Sequence, residues 1–193
     1  MQFRQASLAQ TRELAWMAVD FYGEPLGGPA DWQAFLQGDP DQGVRVMADT
    51  QQRVYAGACF RRGEDGCFRI QPVVARTQEV EAIPHYVGPL LNGLLWQAHK
   101  ARGNFDCMIA LPSQGSSLQK HPAHLRVLEW IIRESLGFRS YAFLDQGHPM
   151  LPPGWGVHAW VRGPSSTYPV RGQCYAHALD RARPLRCLEA PQH

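Results

Sequence analysis

The sequence has no run of about 18 consecutive apolar residues, the length an apolar helix needs to cross a bilayer, so no transmembrane segment is expected. Its opening, MQFRQASLAQTRELAW, lacks the basic-then-apolar order of a secretion signal, and the chain reads as cytoplasmic. Cysteine is scarce. Cys59, Cys67, Cys107, Cys174 and Cys187 form no CxxC pair, and an odd number leaves one unpaired in any disulfide scheme. Reduced thiols are therefore expected rather than a disulfide scaffold or a structural zinc. An excess of either charge is missing too: the net charge is +2, which gives no reason to expect nucleic acid or a membrane as partner. The phosphate-loop spacing GxxxxGK(S/T) is also absent, although PSQGSSLQKHP carries glycine, serines and a lysine.

What is present is material for one core. With 193 residues and 45% hydrophobic content, the chain can bury a single full core, and one domain is expected over residues 1–163. Residues 164–193 are rich in proline and arginine with little periodicity, which reads as an extension that packs on the domain or stays mobile. Ser7 and Gln10 form a capping-box pattern. Leu8, Ala15, Ala18 or Val19, and Tyr22 then fall near one helical face, predicting a helix over 8–22 after a short strand at 2–6. Asp31 is placed to cap a shorter helix, WQAFLQG. VRVMAD, RVYAGACFRR and CFRIQPVVAR, separated by TQQ and GEDG, predict an antiparallel three-strand meander.

Two helix-strand units follow. Val87, Leu90, Leu91, Leu94, Leu95 and Ala98 keep helical spacing, Gly103 stands where a C-terminal cap belongs, and FDCMIAL reads as a buried strand holding Cys107. Pro122 can occupy the first turn of the next helix, with Pro89 assigned the same place in the one before. Leu125, Leu128, Ile131 and Ile132 supply the inner face, and Gly137 ends the helix before FRSYAFL. WGVHAWVRG is a last strand.

This order, strand, helix, helix, three-strand meander, helix, strand, helix, strand, strand, resembles the GNAT superfamily of N-acyltransferases over residues 2–163. Two stretches echo it locally: VYAGACF, with a glycine in the third strand, and LEWIIRESLGFRSYAFL, a helix ending in LGF before a strand. The resemblance implies an α/β fold, a GNAT-like mixed central sheet flanked by helices in a single domain. It further implies that the fourth and fifth strands splay apart and take acetyl-CoA or a longer acyl-CoA between them. Val73 and Val74 would line that gap, and the backbone N–H groups of Tyr86, Val87 and Gly88 would hold the diphosphate, which a helix N-terminus attracts. The family's turn reads Gln or Arg, two residues, Gly, one residue, then Gly or Ala. Ile83, Tyr86 and Gly88 occupy those places here, so only the last matches, and Pro84 removes one N–H. The connection from Ala75 to Ala82 is longer than that turn requires. It resembles the acyl-homoserine-lactone synthases, which keeps acyl carrier protein open as the donor.

Amine acylation needs a base for the amine and an acid for the departing thiolate. Glu81 and His85 are the candidate bases beside the expected thioester, with Glu79 in the same loop as an acceptor contact; the plain alternative is three solvated side chains. The family often places a tyrosine on its last helix as the acid. Arg133 stands there in this sequence, so Tyr141 on the next strand is the substitute, against the plain reading of a packed aromatic. Ser113, Gln114 and Ser116 are candidates to line the acceptor pocket, or belong to an ordinary connection. His121 and His124 can share a helical face, yet the sequence places no third ligand and no metal is expected. The expected acceptor is a small-molecule or peptide amine. Two functional classes stay open: an acyltransferase, and a GNAT-like binding or regulatory protein that has lost its cofactor turn.

Overall fold

The structure, a computed structural model, describes residues 1–23, 26–36, 41–63, 66–76, 80–102, 107–112, 122–144 and 157–162. Its strands are β1 (Gln2–Gln5), β2 (Gln42–Ala48), β3 (Val54–Arg62), β4 (Phe68–Ala75), β5 (Cys107–Pro112), β6 (Arg139–Leu144) and β7 (Val157–Arg162). They form one sheet in the order β1-β2-β3-β4-β5-β7-β6. Every neighbouring pair is antiparallel except β4 and β5, which run parallel. The helices are α1 (Leu8–Tyr22), α2 (Pro29–Ala34), α3 (Ile83–Arg102) and α4 (Pro122–Trp130), and a π-helical segment, Ile131–Ser135, continues α4. Helices thus flank a mixed central sheet in a single domain. Among the described residues no helix is long and apolar enough to cross a membrane.

Helix α1 starts and stops on local chemistry. Gln10 N–H donates to the Ser7 hydroxyl while the Ser7 N–H donates to Gln10 Oε1, and Gly23 closes the helix in the left-handed region at φ 79°. Its buried face carries Leu14, Ala15, Met17, Ala18, Phe21 and Tyr22; Leu8, assigned to that face by periodicity, lies outside it and is exposed. The second helix begins earlier than expected. Pro29 is its first residue, and Asp31, instead of capping the end itself, accepts the Gly28 N–H from inside the first turn at 2.7 Å. Pro89 also departs from expectation. Because α3 begins at Ile83, Pro89 lies inside the helix, where it lacks the N–H that would reach the His85 carbonyl.

Cross-strand partners share a face, so Arg4, Val46, Gly57 and Val74 point one way and Phe3, Met47, Ala56 and Ala75 the other. Leu14 of α1 lies on the first face, so close to Gly57 that an added Cβ would stand 2.2 Å from Leu14 Cδ2. Phe3 meets α3 at Gly93 on the second, where a Cβ would stand 2.8 Å from the ring. Helices α1 and α3 therefore cover opposite faces, and each uses a glycine to come close. Between them Leu14, Phe21, Trp32, Ile70, Ile83, Leu90, Leu91, Leu94 and Leu95 are fully buried.

Candidate functional site

The one parallel pair in the sheet comes apart early. Phe68 pairs with Cys107, Arg69 with Met108 and Ile70 with Ile109, and the ladder ends there, although β4 runs to Ala75 and β5 to Pro112. On its other side β4 stays bound to β3 as far as Ala75, and β5 stays bound to β7 as far as Pro112. Each strand thus follows its antiparallel partner, and the two diverge.

A bulge marks the parting. Ala58 pairs with Val73 and Phe60 with Ile70, so Gln71 and Pro72 together face Cys59 and β4 carries one extra residue. Proline suits that position because it has no N–H to give to a ladder. Beyond it, the Arg76 N–H donates to the Tyr55 carbonyl at 2.9 Å, so position 76 turns its backbone groups toward β3. By the alternation of an antiparallel ladder Val74 does the same, while Val73 and Ala75 turn theirs to the side that β5 has left. Among the described residues no strand pairs with β4 there.

Helix α1 reaches this free edge. Tyr22, fully buried, donates its hydroxyl to the Val73 carbonyl, and burial raises its pKa, which keeps the phenol protonated. Next to it Phe21 stacks on His124 of α4 with centroids 5.1 Å apart, and His124 Nδ1 lies 3.2 Å from the Phe21 carbonyl. The end of α1 and the start of α4 therefore meet beside the parted strands. A second group of side chains lies at the far end of β4. Arg76 donates to the Val54 carbonyl and pairs with Glu13 of α1. Its guanidinium stands 5.9 Å from the Tyr55 ring, and that of Arg53 stands 5.6 Å from the same ring. The Tyr55 hydroxyl donates to Asp49 at 3.2 Å. Desolvation pushes the Asp49 carboxyl up, but hydrogen bonds from the Arg53 N–H, the Tyr55 hydroxyl and the Gln51 N–H outweigh it, and the net shift is downward.

The start of α3 completes the geometry. A single 3-10 turn, Val80–Ala82, runs straight into the helix at Ile83. Glu81 lies in that turn and His85 in the first turn of α3, both exposed, so the two candidate bases occupy one short stretch of chain. Tyr86 is half-buried against Tyr55, Val87 is buried, and Gly88 has open space where a Cβ would stand. The 3-10 turn takes up the Ile83 N–H, and the α-helical ladder starts with the N–H of Tyr86, which leaves the His85 N–H ahead of it and puts the expected trio Tyr86, Val87 and Gly88 inside the ladder. Val73 and Val74 are buried on opposite faces of β4 beside the parting. Tyr141 lies on β6, the edge strand, at a register shift between the levels of Ile109 and Ala110 of β5. That places it two strand spacings, about 10 Å, from β5. Glu79, Ser113, Gln114, Ser116 and His121 lie outside the described residues. Among the described residues no three His, Cys, Asp or Glu side chains gather as a metal ion would require. Tyr22, Tyr55 and Arg76 were not legible as site residues; the only sequence signal was the position of Tyr22 on the buried face of α1.

No protein-family model and no curated protein matches the sequence. Solved structures match the fold. Spermidine N-acetyltransferase from Vibrio cholerae superposes with a TM-score of 0.56 at 11% identity, covering 89% of this chain and 98% of that one. The ribosomal-protein-S18-alanine N-acetyltransferase from Escherichia coli gives 0.57 at 9% identity, covering 89% and 96%. An aminoglycoside 6'-acetyltransferase type Ii gives 0.58 at 12% identity, covering 84% and 97%. Identities this low establish a fold, and the fold is that of the GNAT acetyltransferases.

Proposed function

We propose that this protein is an N-acyltransferase that moves an acyl group from acetyl-CoA, or a longer acyl-CoA, to a primary amine. The observation that carries the reading is the free edge of β4 beyond Ile70, open on the side where β5 has left and next to the start of α3. Backbone groups without a strand partner need another one, and an extended amide-bearing arm supplies it. The Val73 N–H then meets the thioester oxygen, the Ala75 N–H and C=O hold the arm, and the first turn of α3 faces the diphosphate with Tyr86, Val87 and Gly88 behind it. The structural neighbours act on spermidine, a ribosomal-protein alanine and an aminoglycoside, which supports an amine acceptor as a class.

The chemistry asks little of the protein. Glu81, with His85 as the second candidate, takes the proton from the amine directly or through one water. The amine nitrogen bonds to the thioester carbon, and the Val73 N–H holds the oxyanion that forms. Collapse breaks the C–S bond, and the thiolate takes up a proton from Tyr141 or water. Glu79, Ser113, Gln114 and Ser116 line the acceptor side in this reading, residues 1–163 form the catalytic domain, residues 164–193 are an appendage, and the protein works in the cytoplasm.

A second reading, a binding or regulatory protein, is favoured by one observation: Tyr86 packs against Tyr55 where the family has its first glycine. One titration separates the two. Acetyl-CoA and longer acyl-CoAs should raise the melting temperature through preferential binding to the folded state, and a panel of polyamines, aminoglycosides and peptide amino termini should then release free thiol. No stabilisation by any acyl-CoA points to a carrier-protein donor or to the non-catalytic role.

A further inference from the structure

We infer that Tyr22 is a positioning residue for acyl transfer, holding the Val73 carbonyl so that the N–H of the same residue stays aimed at the thioester oxygen. The inference rests on the acyltransferase reading and deepens it. Four observations carry it. Val73 is the first residue past the bulge, where β4 has lost β5 and keeps only β3. Its N–H and C=O face the same side, the open one, as the Arg76 N–H to Tyr55 carbonyl bond requires. The hydroxyl of Tyr22 caps that carbonyl. And Tyr22 is itself packed on all sides: it is fully buried, its ring meets Phe21 edge-on with centroids 4.9 Å apart, Gly23 terminates its helix, and Phe21 is stacked on His124.

The consequence follows from covalent geometry. The Val73 C=O shares a peptide plane with the Val74 N–H, and the Val73 N–H belongs to the plane before it. With Val74 held by β3 and the Val73 carbonyl held by a core phenol, the only freedom left to the Val73 N–H is rotation about its own Cα, within the extended range of a strand. A strand bound on one side only is otherwise free to rock, and a donor that must be rebuilt for each turnover gives up the advantage of preorganisation. Burial keeps the phenol neutral and donating throughout the working pH range. In the transfer itself Tyr22 exchanges no proton. The amine nitrogen bonds to the carbonyl carbon, the electron pair moves onto oxygen at the Val73 N–H, and its return expels the thiolate.

Tyr22→Phe keeps the ring and removes the hydroxyl. Relative to wild type, kcat should fall about 10-fold with little change in KM for acetyl-CoA, a modest share of what losing a whole oxyanion donor costs. The infrared carbonyl band of bound acetyl-CoA labelled with carbon-13 at the thioester should lie below its solution frequency in wild type and move back toward it in Tyr22→Phe. A merely structural tyrosine would leave that band where it was. An unchanged kcat together with an unchanged band overturns the inference. If Tyr22→Phe does not fold, the valine amides of wild type labelled with nitrogen-15 decide: acetyl-CoA should shift the Val73 amide more than the Val74 amide, and an unmoved Val73 amide overturns the inference. Wild type that acetyl-CoA neither stabilises nor perturbs at any valine is a different result, the failure of the acyltransferase reading itself.

Discussion

Tyr86 of α3 packs against Tyr55 of β3, with ring centroids 5.0 Å apart and planes 47° from parallel. The pair joins the start of the long helix to the end of the sheet next to the parted strands. Tyr55 is held in turn by Asp49 and flanked by Arg53 and Arg76, so the ring pair belongs to a wider set of contacts that fixes how α3 begins.

Aromatic pairs of this kind contribute about 0.5–1.5 kcal/mol beyond the area they bury. A double-mutant cycle with Tyr55→Leu and Tyr86→Leu, read by urea unfolding, should return a coupling energy in that range. A value near zero would mean that the rings touch without either depending on the other, and that the buried face of α3, from Ile83 and Val87 onward, positions the helix without them.

Glu81 and His85 are the two candidate bases, and they differ in what else they do. Glu81→Gln preserves size and removes the base, so turnover on an identified amine should fall by about 10²-fold or more with donor affinity nearly unchanged. His85→Ala should weaken donor binding as well, since His85 sits in the first turn of α3 where the diphosphate is proposed to lie. Full turnover in both variants would move the base away from this stretch.

Alkaline pH probes the core through two groups. Burial raises the pKa of the Tyr22 phenol and of the Cys59 thiol in the folded protein. In the unfolded chain they ionise near about 10 and 8.5. Their contribution is fully present below those values, and it is lost as pH rises past them because the unfolded state sheds protons that the folded state keeps. Urea midpoints should therefore fall from about pH 8.5 upward, and Tyr22→Phe should flatten the part of the decline above about pH 10. Parallel curves for the variant and wild type would show that Tyr22 ionises as easily folded as unfolded.

Gly57 tests the closeness of α1 to the sheet. A Cβ there would stand 2.2 Å from Leu14 Cδ2, so Gly57→Ala forces the leucine or the helix to move. Overpacking of this kind costs about 1–3 kcal/mol. Adding Leu14→Ala to Gly57→Ala should restore room and make the pair of substitutions less than additive; simple additivity would mean that the helix, not the leucine, yields.

The sequence by itself determined the elements and their order, because each is written in local chemistry: the Ser7 and Gln10 capping box, the helical spacing from Val87 to Ala98, the glycine after each of α1 and α4, and the alternating runs of the meander. It also placed Glu81 and His85 near the start of α3, since residues close in the chain stay close in space. Tertiary structure decided where β4 leaves β5, and therefore where a site can exist, because a ladder ends through competition between partners: β3 keeps β4, and β7, some 50 residues further along the chain, keeps β5. It decided that Pro89 lies inside α3, since helix starts depend on what precedes them and the 3-10 turn at Val80–Ala82 carries no cap signal. And it brought the Tyr22 hydroxyl onto the Val73 carbonyl across 51 positions of sequence. No periodicity reports such a contact, because the hydroxyl of a buried tyrosine takes whichever backbone carbonyl the fold leaves without a strand partner.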